Sequence, residues 1–211
     1  TGRSKLVTGW TRLFRPVRVF MLMAVALGLS SCYLPNNFTI NMQITRDGDY
    51  AFEYEGSLTH LGFLQKLANK ELDNQGKVTY RGVYERDLRR DKGFTKVEFD
   101  DQARYQVKYR RQGNIKKHKS FSYVRRNGWF LRLARTEPGV VELNGNKLPK
   151  NYIDALIAGG FDSRGTIRIW TNAEVGFENA QSVQKGDSMT MYEWQVQSMR
   201  DPSPRMVLAI K

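Results

Sequence analysis

From Val19 to Leu29 the chain runs through eleven residues without a charge. Arg3, Lys5, Arg12, Arg15 and Arg18 precede the run, and no acid occurs before Cys32. A bilayer-spanning helix needs about 20 apolar residues. The run cannot be lengthened, because Pro16 and Arg18 stand on one side and Asn36-Asn37 on the other. A basic n-region, a short apolar h-region and small residues at its end are the marks of an export signal. The remainder of the chain must therefore fold outside the bilayer core. Cys32 is the one cysteine of the chain, so no disulfide can reinforce that fold. The 180 residues left after residues 1–31 are enough for one domain with a core of its own.

Periodicity predicts how that core is built. Phe38, Ile40, Met42 and Ile44 alternate with Thr39, Asn41, Gln43 and Thr45, the period of a half-buried strand. Asp47-Gly48 signals a turn, and Tyr50, Phe52 and Tyr54 alternate on the return, which makes a hairpin. Ser57 or Thr59 is placed to cap a helix reaching about residue 73, with Leu61, Leu64, Leu67, Ala68 and Leu72 as its apolar stripe. Tyr80, Val83, Tyr84 and Leu88 keep helical spacing to Arg90. Strands are predicted at 94–99, 105–110, 121–124 and 129–133, the last two joined by Asn127-Gly128. After Pro138-Gly139 a short strand is predicted at 140–143. A helix follows Pro149 and ends at Gly159-Gly160. Further strands are predicted at 165–170, around Val175 and Phe177, at 189–196 and at 206–210. No repeat or long linker divides the chain. The order predicts an α+β fold: a single domain over residues 32–211, with a mainly antiparallel sheet and two or three helices packed on it. The hydrophobic signal helix of residues 1–31 precedes it.

Leu29-Ser30-Ser31-Cys32 resembles the lipobox of bacterial lipoproteins. The resemblance implies a diacylglycerol on the Cys32 thiol, cleavage before Cys32 and acylation of the new amino terminus. Tyr33, which follows Cys32, is not the aspartate that resembles an inner-membrane retention signal, and this implies the periplasmic face of an outer membrane in a cell that has one. The stretch Gly165-Thr166-Ile167-Arg168-Ile169, Thr171-Asn172-Ala173-Glu174-Val175, Asn179-Ala180, Gly186 and Tyr192-Glu193-Trp194 resembles the terminal half of LppM-type lipoprotein domains. That likeness implies a membrane-attached α+β domain without an established enzymatic activity.

The formal net charge is +13. Without residues 1–31 it is +8, and residues 103–135 alone hold eleven cations and no acid. Lys108, Arg110, Arg111, Lys116, Lys117, Lys119, Arg125 and Arg126 are therefore the candidate binding surface for anionic lipid, lipopolysaccharide or an acidic partner protein. The bland alternative is a solvated hairpin edge, where lysines block aggregation. Export argues against nucleic acid as the partner. His60 and His118 have no nucleophile or orienting carboxylate near them in sequence. Carboxylates do not cluster at metal-ligand spacing, and no Gly-rich phosphate loop is present. The expected function is a non-enzymatic envelope lipoprotein, with no cofactor beyond its covalent lipid. Two alternatives stay open. One is an accessory subunit of a larger membrane complex, held by residues 19–32. The other is an envelope hydrolase using Glu174 with Glu193, or Ser57 or Ser163 with a histidine. Trp129, Trp170 and Trp194 read as core or cross-strand partners, or else as the lining of a carbohydrate or lipid groove.

Overall fold

The computed structural model describes residues 33–123, 130–145 and 148–211. Cys32, Arg125, Arg126 and the Asn127-Gly128 turn lie outside the described residues, as do the signal segment and Trp129. The described chain forms β1 (Tyr33–Ile44), β2 (Asp49–His60), α1 (Leu61–Ala68), α2 (Asn74–Arg89), β3 (Phe94–Phe99), β4 (Arg104–Asn114), β5 (Ser120–Tyr123) and β6 (Leu131–Glu137). It continues as β7 (Val140–Asn144), α3 (Lys150–Ala158), β8 (Gly165–Thr171), β9 (Glu174–Glu178), β10 (Ser182–Lys185), β11 (Thr190–Val196) and β12 (Arg205–Ala209).

These strands make two sheets. One has seven strands in the order β10-β11-β8-β1-β2-β4-β3, the other five in the order β5-β6-β7-β12-β9. The expected α+β architecture, one sheet with helices packed on it, is thus corrected to a mostly β protein. The reason is arithmetic of surface. Each alternating strand carries an apolar face, and three short helices cannot cover twelve of them, so sheet covers sheet. The helices stand at the margins: α2 packs beside β3, and α1 follows the end of β2.

Inner-face residues of both sheets form one core. Ile40, Met42, Ile44, Phe52, Tyr54, Leu58, Tyr105 and Val107 come from the larger sheet, and Tyr123, Leu131, Leu133, Val141, Leu143, Met206 and Leu208 from the smaller. Tyr123 joins the layers, with its ring 4.5 Å from Tyr54 and 5.0 Å from Phe52. Tyr54 donates its hydroxyl to the Ser57 carbonyl at 2.8 Å.

The predicted β1–β2 hairpin is present, with Gly48 at φ +84° in its turn. Nearer the start of β1 the register slips between Asn36 and Thr39. There Gly56 faces Phe38 so closely that a Cβ on it would lie 2.7 Å from the Phe38 Cα. The bulge needs a glycine on the partner strand. The predicted helix cap moves. Residues 57–60 belong to β2, where the Ser57 hydroxyl donates to the Asn36 carbonyl at 2.8 Å. His60 caps α1 instead, its Nδ1 accepting from the Phe63 N–H at 3.0 Å.

Candidate functional site

A second, smaller apolar cluster lies at the end of the sandwich where β1 begins. It joins Leu34 with Leu61, Ile153 and Met199, and Leu64, Leu148, Leu156 and Phe161 pack against it. Beside it opens a shallow cleft lined mainly by apolar atoms. Ile167 of β8 and Val196 of β11 supply one wall. Phe130 and Pro204, which lead into β6 and β12, supply the other, and Leu148, just before α3, and Ile153, within it, close it. Phe130 turns edge-on to Phe38 there, with ring centroids 5.2 Å apart.

The polar groups around the cleft are engaged in holding its rim. Asp162 Oδ1 accepts from the N–H groups of Ser163 and Met199, each at 2.8 Å, and from the Ser198 hydroxyl at 3.2 Å. Asp201 Oδ2 accepts from the N–H groups of Gln197 and Ser198 at 2.6 and 2.9 Å. Two carboxylates thereby pin the β11–β12 connection, and Pro202 and Pro204 stiffen it. Ser163 lines the cleft, but no histidine is among the described lining residues. The arrangement suits an apolar chain rather than acid–base chemistry. Sequence reasoning missed this site. Its lining comes from four separated segments, and only the Asp201-Pro202-Ser203-Pro204 run hinted at a fixed loop.

The basic segment is divided by the fold. Lys108 and Arg110 point to the outer face of the seven-stranded sheet. There Lys108 Nζ meets Glu55 at 2.9 Å and Arg110 Nε meets Glu53 at 3.2 Å. Arg111, of opposite parity, lies 3.7 Å from Asp91. Such exposed pairs add little stability, but they neutralise the local field. Lys116, Lys117 and Lys119 are exposed in the β4–β5 connection, and Lys116 Nζ donates to the Lys211 carbonyl at 2.9 Å. That connection follows Asn114, which pairs with Asp49 at the far end of β2. β1 has twelve residues and at about 3.3 Å per residue spans roughly 36 Å. The three lysines therefore stand at the opposite end from Tyr33. The structure does not gather the eight expected cations into one stripe, and the positions of Arg125 and Arg126 are outside the described residues.

The other candidates separate too. Glu193 accepts from Arg168 Nε at 2.6 Å in the larger sheet, whereas Glu174 is in the smaller. Trp194 is core, its Nε1 donating to Asn179 Oδ1 at 2.9 Å. Trp170 is half-buried and points outward. His60 is buried between the Tyr84 ring, stacked at 3.6 Å, and the edge of Tyr33 at 4.8 Å. Burial lowers its pKa to about 4, partly opposed by the charge of Asp87. His118 is exposed in the lysine run. Among the described residues no group of three His, Cys, Asp or Glu side chains is placed to hold a metal.

Fold and cleft together define a β-sandwich with an apolar opening at the end where its first strand starts. Among solved structures the chain is similar to the folded domain of LppM from Mycobacterium tuberculosis, determined by NMR. The TM-score is 0.44 and the identity 10%, over 86% of this chain and 92% of that one. No known protein family matches the sequence, and no curated protein does. Among the described residues no helix is long and apolar enough to cross a membrane.

Proposed function

We propose that the chain is a non-enzymatic envelope lipoprotein, anchored through lipid on Cys32, that binds an apolar chain in the cleft beneath α3. One observation carries this reading: the cleft opens at the same end of the sandwich as Tyr33, the residue after Cys32. A domain tethered there by its lipid holds the mouth toward the bilayer, so an acyl chain reaches the apolar walls without crossing much water. Each methylene removed from water contributes about 0.8 kcal/mol, so a bound stretch of about ten corresponds to about 8 kcal/mol, the micromolar level, before the losses of association are counted.

Binding of cis-parinaric acid to the full chain in detergent below its micelle concentration tests the reading. Wild type enhances the probe's fluorescence saturably. Leu148→Trp, which places an indole in the cleft from a half-buried rim position, weakens binding about tenfold or more. No saturable binding, or equal binding by the variant, overturns the reading.

A second reading concerns Lys117 and Lys119. Their exposure at the far end supports docking on an acidic partner protein or an anionic surface away from the anchoring bilayer. From roughly 36 Å away they are too distant to feel the anchoring bilayer across a Debye length of about 8 Å. The periplasmic face of an outer membrane remains the proposed location.

A further inference from the structure

We infer that the outer face of the seven-stranded sheet around Trp170 is a binding groove for a neutral oligosaccharide. Strand register builds the groove. Across one level of the sheet Met191, Trp170, Gln43, Ala51 and Gln112 stand side by side on β11, β8, β1, β2 and β4. Across the next stand Glu193, Arg168, Asn41, Glu53 and Arg110. Ala51 is the small residue of the first level. It makes a floor between the taller side chains, with Trp170 as a wall and Asn41, Gln43 and Glu53 around it. The depression continues along the face to Lys108 on one side and to Asn114 on the other.

Three features select the occupant. The first is charge. Arg168 pairs with Glu193, Arg110 with Glu53 and Lys108 with Glu55, so the face carries many charges and no net field. A polyanion gains nothing there, whereas hydroxyl groups can donate to the carboxylates and accept from the guanidinium groups. The second is the indole. A half-buried tryptophan on a mostly polar sheet face, with Met191 beside it, offers a flat apolar surface of the size of a pyranose ring, whose C–H face packs on it while its edges stay hydrogen-bonded. The third is Asn41. Its Oδ1 is buried and has no hydrogen-bond partner among the described residues, an unsatisfied acceptor of the kind that native proteins rarely keep. Rotation of the amide turns that oxygen toward the groove, where a ligand hydroxyl can satisfy it. A protein partner fits less well, since among the exposed large apolar residues Val78, Val83 and Phe177 are outside this sheet, and Val183, on its edge strand β10, is in register with the buried Tyr192 rather than with the outward row. This groove does not depend on the cleft beneath α3.

Titration calorimetry of the full chain in detergent, with chitotetraose, mannotetraose and maltotetraose as neutral probes and a heparin tetrasaccharide as the anionic one, tests it. At least one neutral probe binds, with the same affinity at about 0.05 and 0.5 M salt. Trp170→Ala and, separately, Ala51→Phe, which fills the floor, each reduce that affinity about tenfold. The circular dichroism spectra of both variants stay at the wild-type level, as a folded protein requires. Failure of all three neutral probes to bind overturns the inference. So does neutral binding that survives both substitutions. Binding of the heparin fragment alone, weakened by salt, overturns it as well and assigns saccharide binding to the lysines of the β4–β5 connection.

Discussion

Acidification should loosen the end of the sandwich where the chain enters it, and His60 should be the cause. Its ring is stacked on Tyr84, lies against the edge of Tyr33, and uses Nδ1 as the acceptor that caps α1. A proton on Nδ1 removes the acceptor, breaks the cap and buries a charge. The folded pKa is accordingly lowered from the ordinary histidine value of 6.5 to about 4, chiefly by burial. Because the folded value lies below the unfolded one, the unfolded chain binds the proton first as pH falls. Stability is complete above pH 6.5, declines between 6.5 and 4, and loses nothing further from this group below 4. A difference of about 2.5 pH units corresponds to about 3 kcal/mol, a large share of the 5–15 kcal/mol typical of a domain. Urea denaturation at pH 7.5, 6, 5 and 4.5, followed by circular dichroism, measures it. His60→Asn keeps a capping acceptor and removes the titration. The variant should start less stable, because two aromatic contacts are gone, and should then lose about 2–3 kcal/mol less than wild type across that range. Parallel losses in wild type and His60→Asn would show that the histidine is not the sensor.

Two further outcomes concern the start of the mature chain. Tyr33 and Leu34 are 3% and 1% exposed. A domain trimmed to residues 36–211 should therefore be less stable than one of residues 33–211 by about 3 kcal/mol or more, read from urea midpoints; equal midpoints would detach these residues from the core. Cys32→Ser should abolish incorporation of labelled palmitate and leave uncleaved precursor or unanchored product, checked by intact mass and membrane fractionation, whereas unchanged labelling would end the lipoprotein reading.

The period-two stretches were legible because each shows a single apolar face. Phe38 to Ile44, Tyr50 to Tyr54 and Tyr105 to Tyr109 all turn that face inward, as expected. α2 was legible for a related reason, with Tyr84 and Leu88 packed toward the core. The number of sheets was not legible. Phe121 and Tyr123 alternate just as Tyr105 and Tyr109 do, and nothing in alternation says whether a strand extends a sheet or lies over it. The split occurs at Ile115, a lone apolar residue that is fully buried where the chain leaves one sheet for the other. Ser57 resembles a helix cap because a hydroxyl before an apolar stripe looks the same whether it meets an N–H or a neighbouring strand's carbonyl. The basic segment misleads for a comparable reason. Charge counted along residues 103–135 ignores Glu53 and Glu55, which come about 50 residues earlier and lie directly across the ladder. Their outward parity, alternating with the inward Phe52 and Tyr54, was the available signal. The cleft had none of this kind, since single apolar residues drawn from separate strands, a helix and loops carry no common period.

The single parallel pairing in the larger sheet sets an order of assembly. β1 pairs with β2 on one side through a tight hairpin, but on the other side with β8, Phe38 lying opposite Gly165. Synthesis delivers the chain from its amino terminus, so β1, with Ile40, Met42 and Ile44 of the core, emerges early and keeps one edge open until about 130 residues more have arrived, a separation that slows closure. Throughout that interval the open backbone edge is a template for another copy of the same strand. A lipid that fixes the chain's start at a surface would gather such unfinished copies in two dimensions. Any product ending before residue 165 would then be a seed for aggregation rather than a smaller domain.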